Sequence, residues 1–254
     1  MATYKKRGNK VKKGNDAKLE EQYTTAEVFN TLDETASRSE QWVAKNQNII
    51  LIGLAAVAVV ILSFLAYNKF VMEPNEKEAA NELAFPKSYF ERAQNATAEV
   101  DSLYNLALNG ADGKYGLVDI ADTYGSTKAG NLAKYMSGIA FLKTGDYQNA
   151  ISYLSDFSSD DEMLSALALG NIGDAFMEIG QPEDALKYYL DAANLKDNNF
   201  SSPLYLFKAG NVAMSLGDYG KAEGYFQRIK DDYATSMEAR NINIYIQRAQ
   251  FAKK

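Results

Sequence analysis

The sequence predicts an all-α protein. A single N-terminal transmembrane helix is followed by a solenoid of helix–turn–helix repeats, with a capping helix at its C-terminal end. Two observations predict it. The run IILIGLAAVAVVILSFLAY, Ile49 to Tyr67, is 19 residues long and carries no charge. Downstream, three glycine-containing segments recur at nearly constant spacing within stretches of helical period.

The uncharged run covers about 28 Å as a helix, close to the ~30 Å of a bilayer's hydrocarbon core. It is apolar on every face, unlike a surface helix, which carries a polar side. A cleaved signal peptide places its apolar stretch nearer the start, with small residues at the cleavage point. Here Ala66 is followed by Tyr67 and Asn68, so an uncleaved anchor is expected. Trp42, Tyr67 and Phe70 flank it, where amphipathic rings sit at a membrane interface.

The anchor divides the chain into a head, residues 1–48, the span 49–67, a linker 68–86, and a repeat domain 87–254. The head holds nine Lys/Arg and seven Asp/Glu, hence +2; residues 68–254 hold 18 and 26, hence −8. Lys5, Lys6, Arg7, Lys10, Lys12 and Lys13 crowd the start. By the positive-inside tendency the head is cytoplasmic and the body exported. This basic stretch reads as a solvated topogenic tail and not as a nucleic-acid contact, since Tyr4 is its one aromatic residue. Thr24 and Glu27 have capping-box spacing, which predicts a short amphipathic head helix carrying Val28, Phe29, Leu32 and Val43.

The chain has no Cys and no His. That removes disulfides, thiolate nucleophiles and the usual neutral-pH general base, along with the commonest transition-metal ligand. No phosphate-binding glycine loop is present either. The expectation is a non-enzyme without cofactor or metal.

The repeated segments are GIAFLKTGDYQNAISYL from Gly138, GDAFMEIGQPEDALKYY from Gly173, and GNVAMSLGDYGKAEGYF from Gly210. Their first glycines lie 35 and 37 residues apart, as do Gly145, Gly180 and Gly217, and Ala150, Ala185 and Ala222. The pattern resembles the tetratricopeptide repeat, a helix–turn–helix unit of about 34 residues. Repeats are expected at about 131–164, 166–200 and 203–236. The first glycine of each set lets two helices cross closely, and the second ends the first helix in a left-handed conformation. Asp146 and Asp218 are expected to cap the second helices, with Pro182 at the first helical position in the middle repeat. Ser202 and Pro203 signal the start of the third repeat's first helix. The acidic group Asp160, Asp161 and Glu162 reads as a helix start and not as a metal site.

Around this core, Pro86 is expected to begin a helix over Ser88–Leu108, with a second helix over Tyr115–Tyr124 after a glycine-rich loop. Residues 236–252 predict the capping helix, with Ile242, Ile244, Tyr245, Ile246 and Ala249 inward and Arg240, Arg248, Lys253 and Lys254 on a polar outer face.

In an array of such repeats the first helices line a groove that binds peptides. Aligning the repeats puts Tyr135, Ile139 and Leu142 there from the first, and Asn171, Asp174 and Met177 from the second. Phe207, Lys208, Asn211 and Met214 come from the third. Met is adaptable and Asn can bond a peptide backbone, a combination suited to extended chains. Asn171 and Lys208 fall at two positions of the carboxylate clamp found in some such repeats, but Tyr135, Ile139 and Leu204 occupy the others, so that clamp is incomplete.

A basic head, one span, and a repeat body containing GLVDIADTYGSTKAGNLAKYMSGIAFLKTGDYQNAISYL (Gly116 to Leu154) and a closing IQRAQ resemble the YfgM-type ancillary subunit of the bacterial SecYEG translocon. The resemblance implies a bacterial inner-membrane protein, single-pass, with its repeats in the periplasm. It implies an adaptor whose partners are translocon subunits, chaperones or exported chains, ancillary to secretion or chaperoning. Two other roles compatible with the residues are a structural organiser of an envelope complex, including a homo-oligomer, and a cytosol-facing import-type receptor.

Overall fold

The structure, a computed structural model, describes the backbone of residues 16–254 and the side chains from Gln41 onward. The basic start Lys5–Lys13 lies outside the described residues, as do the side chains of Thr24, Glu27, Val28, Phe29 and Leu32. Every regular element among the described residues is helical. Contacts divide the chain at Tyr67/Asn68 into two units.

The first unit is one helix, α1, Asp16–Tyr67, 52 residues long. Residues 16–48 of the head and the span 49–67 run on as this single helix. No Gly or Pro falls between Asp16 and Ile52, so nothing in the backbone chemistry interrupts the helix where the hydropathy changes. Within it lies an 18-residue window of mean hydropathy 3.0, none of it buried by protein. Ile49, Val60 and Phe64 are each more than half exposed. This is one helix long and apolar enough to cross a membrane.

The second unit starts with a π-helical turn, Asn68–Met72, and α2, Glu73–Asn95. Here the expected linker is helical, and Pro86 does not begin a helix: it lies inside one. Ala79, Leu83, Pro86, Phe90 and Ala93 are buried at alternating steps of four and three residues, forming one continuous apolar stripe. That burial holds α2 together against the ~3 kcal/mol a mid-helix proline costs. Helix α2 ends near Ala96, and Glu99 adopts a left-handed conformation (φ 57°) before α3, Val100–Asn109. The expected single helix over 88–108 is thus two. A tight loop then leads to α4, Leu117–Thr123, whose Asp119 carboxylate accepts from the Gly116 N–H at 3.0 Å.

Three helix pairs follow: α5 (Lys128–Thr144) with α6 (Tyr147–Ser155), α7 (Glu162–Glu178) with α8 (Pro182–Asn194), and α9 (Ser201–Ser215) with α10 (Tyr219–Asp232). Each helix packs on the next, and α2, α3 and α4 pack against α5, sharing a core that includes Ala129, Ala133, Met136 and Ala140. A 3₁₀ turn, Glu238–Asn241, leads into α11, Ile242–Ala252.

Both glycine sets do what the spacing predicts. Gly145, Gly180 and Gly217 have φ of 82°, 73° and 77°. A Cβ at Gly138, Gly173 or Gly210 would run into Leu154, Tyr189 or Phe226 on the paired helix. The caps are less regular. Asp146 caps α6 through the Asn149 N–H at 3.3 Å, and Asp161 caps α7 through Met163 and Leu164. Asp218 does not cap α10; its carboxylate pairs with Lys221 at 2.6 Å instead. At α9 the start is fastened by Asn198, whose Oδ1 accepts from the Phe200 and Ser201 N–H groups at 2.9 and 2.7 Å. Ser202 reinforces it by donating to the Lys196 carbonyl.

The outer face of α11 is not uniformly polar. Ile242, Ile246 and Ala249 are buried and Tyr245 is half-buried, but Ile244 is 65% exposed and Phe251 70%. Ile244 lies two residues from Ile242 and Ile246, about 200° around the helix, so it cannot share their face.

Candidate functional site

The first helices α5, α7 and α9 bring the predicted residues to successive equivalent positions. Leu142, Asp174 and Met177 line one cavity of about 360 Å³, together with Lys143, Tyr147, Glu178 and Tyr189. Asn211 and Met214 line a second of about 350 Å³, with Tyr219, Tyr245 and Arg248. Both cavities sit where the end of one first helix, a tyrosine near the start of its second helix, and the next repeat's first helix converge. Met177 is exposed, Leu142 and Met214 half-exposed.

Other predicted residues are committed within the fold. Tyr135 and Ile139 are half-buried and bridge the core around α2–α5 and the smaller cluster around Leu154, Ala168 and Ile172. The Tyr135 ring lies 5.1 Å from that of Phe157. Phe207 packs edge-on against Tyr245 of α11 at 4.8 Å and beside Phe226 at 6.0 Å. The amide of Asn171 donates to the Leu167 carbonyl one turn back, at 2.7 Å.

Asp174 and Lys208, expected as separate contacts, form one clasp. Lys208 Nζ stands 2.6 and 2.8 Å from the two Asp174 oxygens, and the Tyr189 hydroxyl donates to Asp174 Oδ1 at 2.6 Å. The ammonium also lies over the Tyr189 and Tyr205 rings at 5.4 and 5.8 Å, a cation–π arrangement. Those rings stack at 6.3 Å and 13°. Tyr205 reaches this place because Gly170 leaves its ring the room a Cβ would occupy. Burial, then the hydrogen bond to Asp174, pushes the Tyr189 phenol well above its ordinary range; burial does the same to Tyr205. Tyr189 therefore stays protonated and donates. The clasp joins α7, α8 and α9 and leaves Asp174 with its charge already met. It is a structural tie whose partly exposed edge forms a cavity wall.

Sequence reasoning missed Tyr147, Glu178, Tyr219, Tyr245 and Arg248 as cavity residues. For the first three the signal was their position at helix ends. For Arg248 it was the repeat offset of 37 residues, which carries Asp174 to Asn211 and Asn211 to Arg248.

The tetratricopeptide repeat family model matches residues 135–200 and 172–236. These are tetratricopeptide repeats. The stretch contains α7 to α10 complete, with most of α5 and all of α6. The chain is also similar to the TPR repeat-containing protein MJ1428 of Methanocaldococcus jannaschii, at 35% identity over 101 residues. That similarity covers 37% of this chain and 16% of the relative, so the chain spans about one sixth of the length of that protein. Tetratricopeptide repeats act in general as modules for binding proteins and peptides.

Proposed function

We propose that the chain is a non-catalytic adaptor, tethered to a membrane through residues 49–67, whose repeats hold other polypeptides. One observation carries the tether: the same chain joins tetratricopeptide repeats to a helix whose apolar side chains are exposed on every face, with no cover from the described residues. Side chains of this kind are stable in hydrocarbon, where the helix also satisfies its own backbone groups. Tethering raises the local concentration of partners at the membrane, so weak, transient groove contacts are enough. Leu142, Met177, Asn211 and Met214 are the groove residues with open surface; Asp174, held by Lys208, forms part of the first cavity's wall.

The charge asymmetry favours an exported body, and the resemblance to the YfgM-type translocon subunit favours the bacterial inner membrane. On this reading the repeats face the periplasm and receive exported chains, chaperones or translocon subunits. The test is site-specific crosslinking in cells, with a photoreactive residue at Met177 or Met214 and mass spectrometry of the adducts. Adducts to translocon subunits, chaperones or many exported chains are expected. Adducts only to cytosolic proteins would overturn the orientation, and adducts only to itself would make the chain an organiser. Protease accessibility of the C-terminus in spheroplasts reads the orientation independently.

A further inference from the structure

The repeat periodicity continues into α11. Adding 37 residues to Tyr205, Ala209 and Val212, the buried side of α9, gives Ile242, Ile246 and Ala249, the buried side of α11. Helix α11 is therefore equivalent to the first helix of a repeat and has a groove row of its own. Met177 and Met214 continue to Phe251; Asp174 and Asn211 continue to Arg248.

The charge at this position is treated differently in the two places. Asp174 is neutralised by Lys208, which arrives from the next first helix, and accepts a hydrogen bond from Tyr189. Arg248 is exposed and, among the described residues, has no acidic, hydrogen-bonding or aromatic partner. Arg240 is likewise exposed and unpaired there. Thus in a body of net charge −8 an unneutralised cation borders a cavity of about 350 Å³. Beside it lie the Asn211 amide and the Tyr219 hydroxyl as further donors, with Met214 and Tyr245 as apolar walls; the Ser215 hydroxyl, also in the lining, already donates to the Val212 carbonyl at 2.7 Å. One turn along, Phe251 is 70% exposed.

We propose that this cavity, between α9, α10 and α11, is a docking site for a protein segment carrying a carboxylate beside a large apolar side chain. Arg248 and Asn211 take the carboxylate; Met214 and Tyr245 take the apolar group, extended by the exposed ring of Phe251, which lies outside the cavity lining with the Lys254 ammonium 5.4 Å from its centre. The site extends the groove and so rests on the groove reading, while adding its fourth row and the chemistry of its partner. The counter-charge that Lys208 supplies to Asp174 from within the fold is supplied to Arg248 by the partner. A membrane surface fits the face less well, because Asn243, Gln247 and Gln250 are exposed on the same helix, and amides favour a peptide backbone over hydrocarbon.

The test uses the full chain in lipid nanodiscs and fluorescence anisotropy of two labelled peptides, Gly-Ser-Asp-Phe-Leu-Ser-Gly and its Lys-for-Asp counterpart. The acidic peptide is expected to bind about fivefold to tenfold tighter, a gap that narrows as salt is raised. Arg248→Glu should reverse the preference, and Phe251→Ser should weaken both peptides. Arg248 and Phe251 are exposed, so neither change disturbs packing. Equal affinity for the two peptides, or none for either, overturns the proposal. So does a preference that survives Arg248→Glu, or capture of free phosphatidylglycerol vesicles that depends on Arg248 without peptide discrimination. Crosslinks at Met177 alongside a failed charge reversal leave the groove standing and remove only the α11 site. Charge reversal without Met177 adducts does the opposite.

Discussion

Tyr189 shows how much one residue integrates. Its ring lies over Gly173, within 2.6 Å of where a Cβ would stand, while its hydroxyl meets Asp174 and its face meets Lys208. The ring is 3% exposed and held at both ends, so it cannot swing aside. Gly173→Ala is therefore expected to lower unfolding free energy by about 1–3 kcal/mol, read by chemical denaturation, even though alanine favours helices. A Cβ at Gly145, where φ is 82°, would meet only the Tyr147 hydroxyl oxygen, at 4.0 Å. Gly145→Ala should cost about 1 kcal/mol, through backbone strain alone.

Tyr189 and Tyr205 also set a pH limit. Burial raises both phenols above the ordinary value of 10.0. A raised pKa means that the folded state holds the proton more tightly. This stability is complete below the unfolded value and is lost as pH climbs beyond it towards the folded one. Thermal melts should hence be flat in this respect to about pH 10 and fall above it. Tyr205→Phe, which removes a titrating group without removing a hydrogen bond to Asp174, should soften that alkaline fall. An unchanged alkaline slope would exclude Tyr205 as a cause.

At the scale of elements, the helix ends are fastened by unlike means, and the differences are testable. Asp146 accepts from a backbone N–H of α6, whereas Asp218 is engaged with the side chain of Lys221. Asp146→Ala should cost about 1 kcal/mol as a lost cap, and Asp218→Ala only the few tenths typical of an exposed pair. Comparable losses at the two sites would mean that Asp218 caps its helix in solution. The start of α5 is bound twice. Thr127 Oγ1 accepts from the Gly130 N–H at 2.9 Å, and Glu76 of α2 accepts from the Lys128 and Ala129 N–H groups at 2.6 and 3.1 Å. A carboxylate there meets both the open donors and the positive end of the helix dipole. It ties α2 to the first repeat across more than fifty residues of sequence. Glu76→Gln should lower stability by about 1 kcal/mol, with amide exchange rising at the start of α5.

At the scale of the molecule, a 52-residue helix and a compact helical array share one chain. The apolar window can be tested alone: Val59→Arg with Val60→Arg should release the chain from membranes under carbonate extraction, since each arginine at mid-span costs about 2.5–3.5 kcal/mol. Retention of the double variant would mean that something other than this span holds the chain.

Helical class, the apolar run, the repeat register and the left-handed glycines were legible in the sequence because each depends on neighbours within one turn or one repeat. Gly138, Gly173 and Gly210 were legible too, since close crossing of paired helices recurs at every repeat. What the tertiary structure alone decided involves groups that the chain brings together from a distance. Pro86 sits inside α2 because its burial outweighs a local penalty. Glu76 caps α5 from another helix. Asp174 is paired with Lys208, and Ile244 and Phe251 turn outward because, among the described residues, only one side of α11 meets a helix. Periodicity reports which residues share a face; it does not report which face finds a neighbour, and that contact determines whether a side chain is core, clasp or binding surface.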